Sequence, residues 1–205
     1  MSAQTRRERE KAMHRQEILE AAARVFAKKG FAATTVEEIA QEAEFSKGAV
    51  YLHFDSKEAL FLCLIEERLN ELEAGLRQVV ERDNAPEAKI RDVVRTHLSF
   101  FEQDKDFFQI AASEQPRLEP EAETRLNKEM RERHIRGLDL VERAMKDAVH
   151  AGVLKAIDPR LLATGLVGII HSFTAQWILA GGKGALVEME PVVLELFLEG
   201  ARARS

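Results

Sequence analysis

The sequence predicts an all-α fold of about nine helices, with a small N-terminal three-helix domain followed by a larger helical domain. Leu, Ala, Glu and Arg dominate the 205 residues, whereas Gly (11) and Pro (5) are few, which is a helix-forming composition. Apolar residues recur at three- and four-residue spacings, and no alternating apolar run is long enough to indicate a sheet. The 45% hydrophobic content is sufficient for a buried core.

Residues 1–13 are polar and charged, and their lack of an apolar stripe predicts a mobile basic arm. Residues 1–30 carry an excess of Lys and Arg, although the whole chain has a net charge of −5. Two interpretations stay open for Arg6, Arg7 and Arg9, namely contact with DNA or a solvated tail. No apolar core of a signal peptide follows this basic start, so we expect a cytoplasmic protein.

A small domain is predicted over residues 14–55. Its first helix ends at Gly30, which suits a C-cap, and its apolar stripe consists of Ile18, Ala22, Val25 and Phe26. The aromatic residues expected to close this small core are Phe31, Phe45 and Phe54. Such a core is marginal by itself, so we expect support from the next helix.

Two short helices follow within this domain. Thr34 and Thr35 are each followed, three residues later, by Glu37 and Glu38, which is the spacing of a capping box. Ser46 caps a second helix of barely two turns. Two helices joined by a tight turn form a helix-turn-helix, whose second helix fits the DNA major groove.

Residues 46–60 read SKGAVYLHFDSKEAL, and this segment resembles the helix-turn-helix signature of the TetR family of bacterial transcription regulators. The upstream segments ILEAA (18–22) and FAKKGF (26–31) resemble the first helix of that family. The resemblance covers residues 14–65 and says little about the rest of the chain. It implies a helix-turn-helix regulator that binds double-stranded DNA as a homodimer.

The resemblance also implies which side chains meet DNA. The residues that match base-contacting positions are Lys47, Gly48, Ala49 and Val50. The residues that match phosphate-contacting positions are Thr35, Tyr51, His53 and Lys57, and Ser46 completes the DNA-binding set. Leu52 stands where many members have a larger polar residue, so it is assigned no base.

Residues 56–205 are predicted to form an effector-binding and dimerisation domain. Its first helix runs from Ser56 to Arg82, with a possible capping box at Asp55 and Glu58, and spans roughly 40 Å. Further helices are expected over Pro86–Gln103 and, more briefly, over Phe107–Ala112. Clustered phenylalanines in this region either fill a core or line a pocket for an apolar effector. The candidate pocket residues are His97, Phe100, Phe101, Phe107, Phe108, His134 and Trp177.

A long charged helix is expected from Glu121 to Gly152, and a largely uncharged one from Leu161 to Gly182. The uncharged stretch is long enough for a membrane span, but its polar groups and lack of basic flanks argue against insertion. Burial against a second subunit is the preferred interpretation, with Pro191 opening a last helix. The candidate dimer-interface residues are Leu161, Gly165, Gly168, Ile169, Val193, Leu196 and Phe197. The resemblance implies that these two helices form a four-helix bundle in a dimer.

These features predict a homodimeric repressor that binds a palindromic operator and is released by a small apolar or amphipathic effector. An effector that fills the larger domain is expected to shift the helix after Phe101 against the long helix from Ser56. The alternative is an effector-independent or architectural DNA-binding protein whose C-terminal body contacts another protein. Effector, operator, regulated genes and the sign of regulation are left open.

An enzyme is the interpretation from another class. Gly181-Gly182-Lys183-Gly184 has some likeness to a phosphate loop, but no strand precedes it and no Ser or Thr follows the lysine. Nucleophile elbows and metal-ligand spacings are absent from the sequence, and the single Cys63 excludes an internal disulfide. We therefore expect no enzymatic activity, no cofactor and no metal.

Overall fold

The structure, a computed structural model, describes residues 3–105, 108 and 120–202. Over these residues the chain forms eight α-helices and one 3₁₀ helix, without a β-strand, which confirms the all-α prediction. The α-helices are α1 (Ala3–Ala33), α2 (Val36–Glu42), α3 (Lys47–Tyr51), α4 (Lys57–Glu81), α5 (Pro86–Gln103), α6 (Pro120–His150), α7 (Pro159–Leu179) and α8 (Glu190–Ala201). The 3₁₀ helix, which the sequence does not predict, precedes α8 at Leu186–Met189. The short helix predicted at Phe107–Ala112 lies outside the described residues, apart from Phe108.

The chain divides into two compact units. The first contains the described residues up to Arg68 and residues 120–127, and the second contains the described residues from Leu69 to 108 and from Lys128 onward. The sequence-based domain boundary lies at the start of α4, whereas the structural division falls within this helix. Helix α4 therefore contributes residues to both units.

Helix α1 begins at Ala3, so residues 3–13, which the sequence predicts to be a mobile basic arm, are helical. The side chains from Arg6 to Met13 are exposed. Arg6 Nε donates to Glu10 Oε1 at 2.9 Å, an i,i+4 pair on one face of the helix. Good helix formers and such pairs sustain a helix without an apolar stripe, which is the physical reason for this correction.

Gly30 interrupts the regular geometry of α1, as its predicted role at a helix end requires. Its backbone has φ 79° and ψ 166°, a region open essentially to glycine alone. The buried Thr34 hydroxyl donates to the Gly30 carbonyl at 2.6 Å and fixes the bend. The bend leads the chain from α1 into the helix-turn-helix.

Gly30→Ala is expected to lower the free energy of unfolding by about 1–3 kcal/mol, because a Cβ strains this backbone conformation. Urea unfolding followed by circular dichroism measures the loss. Gly48→Ala is the matched control, because the added Cβ would meet only Ser46 Oγ at 3.9 Å and alanine favours a helix. Equal stability of the two variants would contradict the strain argument.

The caps of the helix-turn-helix form where the sequence predicts them. At the start of α2, Thr35 Oγ1 accepts from Glu38 N at 3.3 Å while Glu38 Oε2 accepts from Thr35 N at 3.0 Å. At the start of α3, Ser46 Oγ accepts from Ala49 N at 3.1 Å. The capping box and the second cap are thus confirmed, and together they fix the directions of two short helices.

The later helix starts agree with the sequence with one exception. Pro86 opens α5 and Asp158 caps α7, as predicted. The cap of α4 is Ser56, whose Oγ accepts from Ala59 N at 3.1 Å, instead of the predicted Asp55. Adjacent residues with capping side chains compete for the same amides, so sequence spacing alone does not choose between them.

Each unit has its own apolar core. In the first unit, Phe61 lies 5.5 Å from Phe26 and 5.0 Å from Phe31, measured between ring centroids. Phe61 belongs to α4, so α4 supplies the support that the small domain is expected to need. In the second unit, the fully buried side chains from four helices include Leu76, Ile90, Leu98, Met145, Leu166 and Ile170.

Helix α7 is long and apolar enough to cross a membrane by length and composition, and it alone passes this test in the described residues. A core helix of a soluble protein passes the same test, so the finding is weak evidence for a membrane span. One side of α7 packs in the core of the second unit through Leu162, Leu166 and Ile170. The opposite side is exposed within the single chain.

Candidate DNA-binding and effector sites

The first unit presents α3 and the start of α2 to solvent. Tyr51 is 45% exposed and Leu52 79% exposed, so two large side chains at the end of α3 face solvent. We call this surface the recognition face, and its exposed members are Thr35, Ser46, Lys47, Gly48, Tyr51 and Leu52. Leu52, which the sequence leaves without a role, is its most exposed large apolar side chain.

Lys47 is held in place on the recognition face by two neighbours. Its ammonium group donates to Glu37 Oε1 and lies 5.8 Å from the centroid of the Tyr51 ring. The hydrogen bond raises the pKa of Lys47 and lowers the pKa of Glu37, so both stay ionised near neutral pH. A contact of Lys47 with DNA, which the family resemblance implies, requires a phosphate or base edge to replace Glu37 as the partner of this ammonium group.

His53 lies half-buried at the edge of the recognition face. Its Nδ1 atom is buried and has no hydrogen-bond partner among the described residues. Burial lowers the pKa of His53, and electrostatic interactions with Lys11, His14 and Arg15 lower it further. The ring is therefore neutral near neutral pH and is able to form a hydrogen bond but not an ion pair.

Val50 does not belong to the recognition face. Its side chain is fully buried, and Ala49 is half-buried. Residues one position apart on a helix point in different directions, so the exposure of Tyr51 places Val50 in the core. The base-edge role implied for Val50 by the resemblance is therefore corrected.

Lys57 is the second residue of the DNA-binding set whose implied role is corrected, in this case a contact with phosphate. Its Nζ atom donates to the carbonyl oxygens of Phe31 at 2.7 Å, Thr34 at 2.8 Å and Ala32 at 3.4 Å. The ammonium group also lies 4.4 Å from the centroid of the Phe31 ring. An ammonium group has three N–H donors, so Lys57 is committed to the end of α1 and not to a phosphate.

The second unit contains a largely apolar cavity of about 220 Å³. It lies among α4, α5, α6 and α7, which surround it with leucine, phenylalanine and histidine side chains. The lining residues are Leu69, Leu72, Glu73, Leu76, His97, Phe101, Phe108, Met130, Arg133, His134, Gly137, Leu138, Val167 and His171. Apolar walls with a few polar groups are typical of small-molecule sites.

Four predicted pocket residues, His97, Phe101, Phe108 and His134, lie on the wall of this cavity. Phe107 lies outside the described residues. Phe100 is buried behind the wall, because its ring packs edge-on against Phe101 and Phe108 at centroid distances of 5.1 and 5.2 Å.

Trp177 is not on the wall either. Its indole Nε1 donates to the carbonyl oxygen of Gly184 at 3.1 Å, and its ring packs on Gly182 in the turn after α7. An indole N–H that reaches a backbone carbonyl in a turn stabilises that turn. The pocket roles of Phe100 and Trp177 are both corrected.

Three histidines follow one another along the cavity. The ring centroids of His97 and His171 are 6.4 Å apart, and those of His171 and His134 are 6.0 Å apart. Burial lowers the pKa of His97 to about 4. Partial desolvation beside the cavity also lowers the pKa of His171, and the neighbouring His134 adds to this effect. Across the described part of the chain, no group of His, Cys, Asp or Glu side chains is placed to hold a metal ion.

The sequence does not identify the α4 and α7 sides of the cavity, and on α6 it identifies His134 alone. Leu69, Leu72 and Leu76 recur at the spacing of an ordinary buried stripe, and nothing local separates a stripe facing a cavity from one facing a core. His171 is the missed cavity residue that the sequence could have identified, because it is the one titratable side chain between Leu161 and Gly182. A polar group within an apolar helix indicates a site or a hydrogen-bond partner.

The exposed side of α7 carries small and apolar residues. Leu161 is 63% exposed, and a Cβ atom added at Gly165 or Gly168 would meet no atom within 4 Å. We define the outer face of α7 by Leu161, Thr164, Gly165, Gly168, Ser172 and Leu179. Leu196 of α8 is also exposed, at 56%.

Three other predicted interface residues point elsewhere. Val193 and Phe197 are buried in the core of the second unit, and Ile169 is half-buried against that core. Val193 and Phe197 are one helical turn apart on α8, so they share the inner face of the helix. The interface roles of Val193 and Phe197 are therefore corrected.

Comparisons with known proteins agree with this arrangement. A model of bacterial regulatory proteins of the TetR family matches residues 18–64, and a model of the tetracyclin repressor-like C-terminal domain matches residues 83–201. The fatty acid metabolism regulator protein of Bacillus subtilis is 24% identical over 186 residues, which cover 90% of this chain and 93% of that protein. The HTH-type transcriptional regulator YerO of Bacillus subtilis is 39% identical over 103 residues, or 49% of this chain and 35% of YerO.

The fold also agrees with a solved structure. The transcriptional regulator FadR from Bacillus subtilis, in complex with stearoyl-CoA, has a TM-score of 0.75 and 23% identity, covering 90% of this chain and 98% of that one. The two family models match both the helix-turn-helix segment and more than half of the chain. The family consists of transcription regulators and not of enzymes, so the non-enzyme prediction is confirmed. This chain therefore belongs to the TetR family and is a DNA-binding transcription regulator.

Proposed function

We propose that the chain is a homodimeric repressor that binds a palindromic operator and releases it when an amphipathic effector with an acyl chain occupies the cavity. The observation that carries this proposal is the largely apolar cavity in the second unit, because apolar walls with a few polar groups are typical of small-molecule sites. The recognition face supplies the DNA-binding half of the proposal. Cytoplasmic location follows from the same function.

The class of effector is supported by the chemistry of the cavity and by the relatives. Leucine, phenylalanine and methionine side chains make the wall apolar, while Arg133 and His134 add polar groups. The solved structure of the transcriptional regulator FadR from Bacillus subtilis contains stearoyl-CoA. The Bacillus subtilis relative that matches 90% of this chain is a fatty acid metabolism regulator protein. An acyl chain buried in the cavity removes apolar surface from water, at roughly 0.8 kcal/mol for each buried CH₂ group.

Dimerisation is supported by the outer face of α7. A single helix-turn-helix contacts too few base pairs for selective binding in a genome, so two copies related by a two-fold axis are needed. Exposed leucine beside exposed glycines allows two helices to approach closely and to bury apolar surface. The outer face of α7 and Leu196 together offer such a self-complementary surface.

Release requires an effector that binds the DNA-incompetent state more tightly than the DNA-bound state. A tenfold loss of operator affinity corresponds to about 1.4 kcal/mol of preference. The cavity is lined by residues of α4, so an effector that shifts this helix acts on an element that also contributes to the first unit. That the effector shifts α4 is part of the proposal.

Binding of the purified protein to DNA upstream of its own gene tests the DNA-binding half. We expect tight binding that weakens as salt is raised, because phosphate contacts release counterions. Tyr51→Ala is expected to lower the affinity of the dimer about thirtyfold, since two copies of a contact worth roughly 1 kcal/mol are lost. Fluorescence anisotropy at two salt concentrations measures both effects.

Gln78→Ala, a change at an exposed position of α4, is the control and should bind like the wild type. Addition of hexadecanoyl-CoA to the wild-type complex then tests the effector half, with release of DNA as the expected result. A wild type that matches Tyr51→Ala on every DNA would contradict the operator function. Binding that no acyl-CoA relieves would contradict the proposed effector class and leave DNA binding standing.

A further inference from the structure

We propose that His97 makes the cavity selective for an effector that presents a hydrogen-bond donor, a hydroxyl or N–H group, at a buried point of its apolar body. This inference deepens the proposed function and rests on it, because it assumes that the cavity is the effector site. It goes further by naming a polar feature of the ligand and the atom that recognises it.

The position of the proton on His97 follows from its surroundings. The Nδ1 atom lies 2.9 Å from the carbonyl oxygen of Val93, one turn earlier on α5. A carbonyl oxygen only accepts, so Nδ1 carries the proton and donates it. The side chain is 4% exposed, and burial lowers the pKa of His97 to about 4, so the ring carries a single proton near neutral pH. The other nitrogen, Nε2, is therefore an acceptor.

The Nε2 atom has no hydrogen-bond partner in the described part of the chain. The ring nevertheless lines the cavity, and the nearest polar ring, that of His171, lies 6.4 Å away between centroids. A ligand that fills the cavity displaces water from Nε2, and an acceptor that gains no donor in exchange loses its hydration without compensation. A ligand donor at this point restores the hydrogen bond, whereas a CH₂ group or a carbonyl oxygen does not.

The charged side chains of the cavity already have partners. Glu73 accepts from Arg77 at 3.0 Å and from Arg136 at 3.3 Å, and Arg133 donates to Asn70. His134 and His171 are exposed, in contrast to His97. Among the described cavity residues, His97 is thus the buried polar group with a free acceptor, and it is the group expected to discriminate between ligand bodies.

Two parts of an acyl-CoA could supply the donor. One is a hydroxyl group on the acyl chain, and the other is an amide N–H of the pantetheine arm. Both groups would donate a hydrogen bond to Nε2. With the first source the affinity depends on a hydroxyl group on the acyl chain, and with the second it depends on the presence of the pantetheine arm. A direct binding measurement with matched ligands separates them.

The test uses isothermal titration of the full-length protein with four kinds of probe. These are hexadecanoyl-CoA, free hexadecanoate, hexadecanoyl-CoA with one hydroxyl group at successive chain positions, and the keto analogue of the tightest hydroxylated probe. If the acyl chain supplies the donor, the best hydroxylated probe binds about tenfold more tightly than hexadecanoyl-CoA, and the keto analogue loses this gain. If the arm supplies it, hexadecanoyl-CoA gains about tenfold over hexadecanoate through the same contact.

His97→Phe keeps a ring of similar size and removes the acceptor, so the ratio that identifies the donor should fall about tenfold in this variant. His97→Gln retains an acceptor oxygen and should keep part of the ratio, while Leu69→Met on the same wall should keep all of it. Each ratio compares two ligands on one variant, so a reduced folded fraction cancels.

If both affinity ratios, hydroxylated over plain hexadecanoyl-CoA and hexadecanoyl-CoA over hexadecanoate, were the same in His97→Phe as in the wild type, this inference would be overturned. Tight binding of hexadecanoyl-CoA in the same experiment would still uphold the proposed function. Failure of the wild type to bind any of the probes would overturn both. Equal loss of the ratios in His97→Phe and in Leu69→Met would also overturn the inference, because the effect would then come from cavity shape.

Discussion

Lys57→Met is expected to destabilise the first unit by about 2–3 kcal/mol, because it removes charged donors from a cluster of backbone carbonyls. The Lys57 ammonium group holds the carbonyl oxygens of Phe31, Ala32 and Thr34, where α1 ends and the chain turns into α2. Methionine preserves the aliphatic stem and loses all three hydrogen bonds as well as the contact with the Phe31 ring. The first consequence is faster hydrogen exchange in α1, α2 and α3.

Hydrogen exchange followed by mass spectrometry measures this effect segment by segment. Lys28→Met is the matched control, because Lys28 is an exposed lysine of α1 in the same unit. DNA affinity of the Lys57 variant should fall only in proportion to its unfolded fraction. A variant that exchanges like the wild type and yet loses DNA affinity would instead establish the phosphate contact that the family resemblance implies for Lys57.

Gly168→Arg is expected to convert the protein to a monomer and to lower operator affinity by at least about a hundredfold, since the avidity of two linked half-sites is lost. Within one chain the new side chain has free space, because a Cβ at Gly168 meets no atom within 4 Å. Replacing a helical glycine also favours the helix intrinsically. A guanidinium group in an apolar two-fold interface would meet its own copy, which is strongly unfavourable.

Sedimentation velocity gives the oligomeric state, and thermal unfolding confirms that the monomer keeps its fold. Gln78→Arg places the same side chain at an exposed position of α4 and should remain dimeric. A dimeric Gly168→Arg variant with wild-type operator affinity would show that the outer face of α7 does not form the interface. The dimer contact would then have to be sought elsewhere in the second unit.

Local sequence signals predict much of the fold because they act over three or four residues. Thr35 and Ser46 accept from amides three positions later, and Pro86 and Asp158 mark helix starts for equally local reasons. The N-terminal stretch is the exception, since a lack of apolar residues excludes burial but does not exclude a helix. The same signals locate the recognition face, because helix-turn-helix geometry follows from the two caps.

The sequence by itself therefore determined the helical class, most of the helix caps, the family and the exposed helix of the DNA-binding unit. Only the tertiary structure decided which neighbour faces outward: Val50 is buried beside exposed Tyr51, and Val193 is buried on the same helix as exposed Leu196. It also decided that Lys57 binds carbonyls and that His97 lies on a cavity wall. The physical reason is that caps and periodicity depend on residues close in the chain, whereas burial, cavities and long-range hydrogen bonds depend on how separate helices pack.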